Sequence, residues 1–301
     1  MSYPLYSLAI AWPFMDQPQP VFSIILAALA VIVLGIAKSG FGGGVGVVAV
    51  PMMAIALGAS ESTAVLLPLL IAADVFSVLN HWRKWDPHLL RVLTPGSLIG
   101  IGIGSVVLWL LLVYLPAHMA NGKDAKTVAD NALNLTTGIV AVGYVLLDQV
   151  RAKYAPHWHF KPNFTNGTVV GFAVGVVSTI SHAAGPIAAI FLLGQNLNRA
   201  AFIGTTVCYF FWVNTIKILP FALLGMFTPG ALFTALLLLP LVPVGTWLGA
   251  KLSGRLSDHA FRTVIMVIVF ITGLQLVLES ITGIKLVSVV TSLVAPATQP
   301  R

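Results

Sequence analysis

Apolar residues run in long blocks separated by short polar breaks. The blocks fall near residues 21–38, 44–59, 62–80, 92–115 and 131–148, then near 166–181, 185–195, 200–224, 230–250 and 262–280. About 20 mostly apolar helical residues cross a bilayer, so the long blocks are predicted spans. The short ones, 44–59 and 185–195, are predicted to return part-way. The order of lengths repeats, five and then five. Gly42-Gly43-Gly44-Val45 at the first break aligns with Ala183-Ala184-Gly185-Pro186 at the sixth. Internal symmetry with broken segments at matching places is a pointer to a transporter with a site at mid-membrane. The expectation is an all-α polytopic membrane protein of two inverted repeats, each a re-entrant or broken-helix hairpin plus three transmembrane helices. Residues 1–20 form an N-terminal segment, 21–150 the first repeat, 151–165 a cytoplasmic connection, 166–281 the second repeat and 282–301 a tail.

Composition removes the soluble alternatives. The chain is 58% hydrophobic and only 8% charged, against about 25% charged in ordinary soluble domains. The net charge of +7 does not point to nucleic acid, because the basic residues sit in loops between apolar blocks, where they set membrane orientation. Ten of them, Arg83, Lys84, Arg91, Arg151, Lys153, Lys161, Arg199, Lys251, Arg255 and Arg262, fall on one side if each hairpin makes no net crossing. Only Lys123, Lys126, Lys285 and Arg301 then lie opposite. That bias places both termini in the periplasm of a bacterial-type inner membrane. The N-terminus lacks the basic region of a cleaved signal and is read as mature, lying at the interface around Trp12. A single cysteine, Cys208, excludes an intrachain disulfide and a multi-cysteine metal site. No cofactor and no metal are expected.

The two breaks carry the chemistry. The first reads Gly35-Ile36-Ala37-Lys38-Ser39-Gly40-Phe41-Gly42-Gly43-Gly44 and the second Ser178-Thr179-Ile180-Ser181-His182-Ala183-Ala184-Gly185-Pro186. Each interior glycine costs a helix about 1 kcal/mol relative to alanine, and proline suits the first turn of a new helix. Both breaks are therefore expected to start a helix inside the membrane. A helix start offers unpaired N–H donors and about half a positive charge, which favours a small oxyanion over a cation.

The candidate substrate site is Lys38, Ser39, Gly40, Gly42, Gly43, Gly44, Ser181, His182, Gly185, Thr205, Thr206, Asn214 and Lys217. A lysine at a helix centre costs roughly 3 kcal/mol on insertion scales, so Lys38 needs a ligand or a counter-charge, for which Asp74 is the nearest candidate by depth. Asp74 and His182 are the candidates for ion coupling. Each assignment has a plainer rival. Lys38 and Asp74 can be a permanent structural pair, Lys217 can snorkel to the interface, and His182 can be a neutral, hydrogen-bonded core residue. Thr205 and Thr206 can bond their own helix. The glycines at 100, 102, 104, 245 and 249 read as helix-packing positions.

With these residues in view, the chain resembles the sulfite exporter TauE/SafE family of membrane transporters. The resemblance is carried by Lys38 to Gly44 with Pro51, by Trp85-Asp86 before Pro95-Gly96, and by His182-Ala183-Ala184-Gly185-Pro186. Asn198-Arg199, Gly204-Thr205-Thr206, Asn214, Lys217 and Pro220 complete it. It departs from the family pattern at Ala183-Ala184, where glycines are frequent. The resemblance implies export or permeation of sulfite, sulfonates such as sulfoacetate, or related organosulfur anions. The expected function is secondary transport of such an anion by alternating access, with no enzymatic step. An interior-negative potential drives a dianion outward by roughly 4.6 kcal/mol per 100 mV. An anion channel, or a permease importing a small organic anion with proton or sodium coupling, is the alternative. The expected partners are a small anion and the lipid bilayer, without nucleic acid; the oligomeric state is left open.

Overall fold

A computed structural model of the chain describes residues 14, 19–41, 48–119, 124–154, 163–252 and 258–283. The described residues are helical throughout, joined by turns, with no strand among them. In order they form α1 (Pro20–Phe41), α2 (Ala49–Leu57), α3 (Ala59–Asn80) and α4 (Pro87–Trp109), which runs through a π-helical turn, Leu110–Tyr114, into α5 (Leu115–Met119). There follow α6 (Ala125–Tyr154), α7 (Phe164–Ser181), α8 (Gly185–Leu193), α9 (Arg199–Leu223), α10 (Pro229–Leu238), α11 (Leu241–Leu252) and α12 (Asp258–Thr282). Six described helices are long and apolar enough to cross a membrane, and the pair α10 and α11, bent by 42°, makes a seventh candidate span. Large apolar side chains such as Leu147, Leu219 and Leu223 lie exposed on the helices, which in this composition means facing lipid. The protein is an all-α, multi-pass membrane protein.

Three boundaries differ from the sequence expectation. The first hairpin does not break at Gly35 or Gly40: α1 continues to Phe41 and the return helix starts at Ala49. Both glycines serve packing instead. The second break is confined to His182-Ala183-Ala184, with Ser178 to Ser181 still in α7. The block 230–250 is two helices, because the chain turns at Leu239-Pro240 before α11. The glycines 42–44, most of the segment 1–20 and the tail after 283 lie outside the described residues.

Close helix pairs follow the glycines. A Cβ added at Gly96, Gly100 or Gly171 would strike backbone across the α4–α7 contact, and one at Gly175 would lie 2.5 Å from the Ser97 carbonyl. In the α1–α11 contact, Cβ atoms at Gly245 and Gly249 would lie 2.6 Å from the carbonyls of Ile32 and Ile36. Without a side chain, backbone meets backbone, which is how membrane helices gain packing energy where lipid removes the hydrophobic drive. Contacts advance together along both chains, Gly96 to Thr168 and Gly104 to Val176, Gly35 to Gly245 and Gly40 to Gly249. Each pair is therefore parallel. By contrast α6 and α12 cross antiparallel, Gly138 meeting Val277 and Gly273 meeting Ala141 and Val142. Through these pairs α1 lies with α11, α7 with α4, and α3 against α9 at the centre.

Candidate functional site: a buried polar cluster between α1, α3, α7 and α9

Hydrophobic surroundings make each polar side chain in the core a question of partners, since an unpaired buried charge is expensive. Four ionisable groups sit together there. Lys38 is 4% exposed, His182 8%, and Asp74 and Lys217 0%. Lys38 Nζ donates to Asp74 Oδ1 in a buried ion pair and lies 5.7 Å from the centre of the Phe210 ring. Asn214 Nδ2 donates to Asp74 Oδ2 at 2.7 Å. Both carboxylate oxygens of Asp74 are thus engaged.

Lys217 is held differently. Its Nζ donates at 2.9 Å to the Ser178 carbonyl, the Ser178 hydroxyl and His182 Nδ1. His182 Nε2 lies 3.0 Å from the Thr63 carbonyl, which can only accept, so Nε2 carries the proton and Nδ1 is the bare acceptor. His182 holds a left-handed backbone (φ 53) that side chains other than glycine seldom adopt. Ring bonds on both sides and its N–H to the Ser178 carbonyl (3.1 Å) fix it there.

The helix starts add donors. Asp86, Asn163, Asn198 and Thr228 cap α4, α7, α9 and α10 with side-chain oxygens. The short helices α2 and α8 have no side-chain cap, their N-cap positions being Val48 and Ala184. Val48 and Ala183 belong to one apolar group with Ala141 and Val145 of α6. Gly185, the first residue of α8, lines a small cavity with Lys38, Ser178, His182, Phe210 and Asn214. Its volume of about 20 Å³ is room for one or two waters.

The sequence-derived candidates divide accordingly. Lys38, Asp74, His182, Gly185, Asn214 and Lys217 come together. Ser39 is buried with its hydroxyl unpartnered among the described residues, and Gly40 packs on Gly249. The hydroxyl of Ser181 turns back to Val177 (3.1 Å) and that of Thr206 to Phe202 (2.8 Å). Thr205 accepts from the Asp86 N–H at 2.9 Å, anchoring the α3–α4 loop. These hydroxyls do not join the cluster. Gly42, Gly43 and Gly44 lie outside the described residues. Snorkelling of Lys217 is overturned by its complete burial. Sequence reasoning missed Ser178, Phe210 and the Thr63 carbonyl. Ser178 stood in the quoted break and is the polar residue one turn before His182; a backbone carbonyl such as that of Thr63 leaves no trace in sequence.

Neither a curated protein nor a solved structure matches the chain. A family model described as Sulfite exporter TauE/SafE matches residues 27–276, from within α1 to within α12 and across every helix of the cluster. The chain belongs to the sulfite exporter TauE/SafE family, a family of membrane transporters.

Proposed function

We propose that the protein is a secondary transporter, an exporter in the cell, of a small sulfur-containing oxyanion, and that the buried cluster is its binding site. The observation that carries this reading is Lys217: a fully buried lysine whose hydrogen-bond partners are all uncharged, beside an uncapped helix start. A buried cation without a carboxylate is costly, and an anion in the neighbouring cavity would supply the missing charge. At the start of α8, Pro186 has no N–H and the Ile187 and Ala188 N–H groups donate to the Ala184 carbonyl, so the Gly185 N–H is the one that would bind an oxygen of the anion.

The same reading treats residues 21–150 and 166–281 as inverted repeats. Matching pairs support it: α1 packs on α11 as α7 packs on α4, and α3 meets α9 at Asp74 and Asn214, each fifteen residues after the start of its helix. The repeats would then expose this small cavity to one side of the membrane and the other in turn. The basic segment 81–91, the α3–α4 loop and the first turn of α4, would face the cytoplasm of a bacterial inner membrane. The test is flux of sulfite and of an organosulfonate in proteoliposomes containing wild-type protein or Lys217→Met. Transport by wild type and none by the variant is the expected result. Equal flux in both removes the cluster from the pathway.

A further inference from the structure

We propose that the site is built for one negative charge, so that the substrate is a singly charged sulfur oxyanion, a sulfonate or hydrogensulfite, and divalent anions are rejected. This rests on the reading that the cluster holds the transported anion. It follows from counting the charges that the hydrogen bonds allow.

Asp74 is not the partner of Lys217: Oδ1 accepts from Lys38 and Oδ2 from the Asn214 amide, while Lys217 Nζ donates to Ser178 and His182. Asn214 occupies the place in α9 that Asp74 occupies in α3. An amide cannot ionise, so this central pair holds a single negative charge. His182 adds none: with Nε2–H committed to Thr63, its Nδ1 can accept from Lys217 only if the ring is neutral. The other helices packed on α3 do not change the sum. Among their described residues, α2 and α10 have no ionisable side chain, and Lys251 of α11 lies in that helix's last turn, over Trp247. On α6, Asp130 accepts from the Ser60 N–H at the far end of α3. Cys208 of α9 is a free cysteine. With both lysines as ammonium groups, as an anion site requires, two positive charges and one carboxylate leave one positive charge.

A monoanion in the cavity therefore makes the filled site neutral. A dianion leaves a lone negative charge away from water, which low-dielectric surroundings penalise by several kcal/mol. Discrimination of about a hundredfold or more between anions of equal size is the consequence. The driving force falls with the charge, since one charge moving outward gains about 2.3 kcal/mol per 100 mV.

The experiment uses the purified full-length protein and two tetrahedral probes of similar size, methanesulfonate and sulfate, titrated calorimetrically near neutral pH. Wild type is expected to bind methanesulfonate at least about a hundredfold more tightly than sulfate. In Asp74→Asn the site gains one positive charge, and the preference should shift toward sulfate by about tenfold or more. Should that variant not fold, the wild-type comparison alone decides. Sulfate binding as tight as methanesulfonate in wild type overturns the charge rule and leaves the transport reading standing. No binding of methanesulfonate, sulfate or sulfite to folded wild type overturns both.

Discussion

The two lysines at the centre of this protein are buried to nearly the same degree but solve burial in opposite ways. Lys38 has a carboxylate, and its pair with Asp74 is braced by Asn214. Lys217 has a carbonyl, a hydroxyl and a neutral imidazole. The Lys38 half is complete without a ligand. The Lys217 half is satisfied in hydrogen bonds and unsatisfied in charge. Helix composition in the two halves gives the arrangement a common plan: the first half carries its lysine on α1 and a serine, Ser77, on α3, whereas the second carries Ser178 on α7 and its lysine on α9. Exchange of the two side chains between helices leaves one lysine next to the aspartate and the other next to the serine and histidine.

Substitutions at the two lysines should separate stability from binding. Lys38→Met leaves Asp74 as a lone buried charge, and breaking a buried pair in this way costs about 3–5 kcal/mol. A large drop in the thermal midpoint of the purified protein is expected, largely recovered in Lys38→Met with Asp74→Asn. Lys217→Met strands no charge. It should keep the wild-type midpoint or raise it, while anion affinity falls by about a hundredfold, the loss of one desolvated charge interaction. A midpoint that drops as far in Lys217→Met as in Lys38→Met would erase the contrast.

Smaller changes sharpen it. His182→Ala removes one acceptor from Lys217 and the ring that bridges to Thr63. Loss of one charge-assisted hydrogen bond, about 1.5–3 kcal/mol, should weaken the anion by roughly tenfold or somewhat more, read by titration calorimetry. Thr205→Val removes only the acceptor for the Asp86 N–H. It is expected to cost about 0.5–1.5 kcal/mol of stability with anion affinity unchanged. A binding defect in that variant would return Thr205 to the site from which its geometry separates it.

What the sequence revealed depended on how local the signal was. Apolar block lengths announce the membrane class, because a span is a one-dimensional property of the chain. Lys38 and Asp74 could be matched by depth, since charges in apolar blocks are few and each demands a partner. The bonds among Lys217, His182 and Ser178 depend on how α7 lies beside α9, a tertiary fact that no spacing encodes. Glycine misled in one place: Gly35 and Gly40 look like breaks on propensity, yet α11 presents Gly245 and Gly249 to them, and the close packing outweighs a cost of about 1 kcal/mol each. Threonine had the plainer fate at Thr206, whose hydroxyl returns to its own helix. His182 was legible as a tip residue, and its left-handed backbone explains why α7 ends there.

Where an anion sits inside the protein is the most direct question, and anomalous diffraction from crystals grown with selenite, a heavier analogue of sulfite, answers it. The expected result is a selenium peak in the enlarged cavity, with its oxygens within hydrogen-bond reach of Lys217 Nζ or the Gly185 N–H. Selenium found only at surface lysines, with the cavity lined by Lys38, His182 and Asn214 unchanged, would contradict the assignment of this cluster as the anion site.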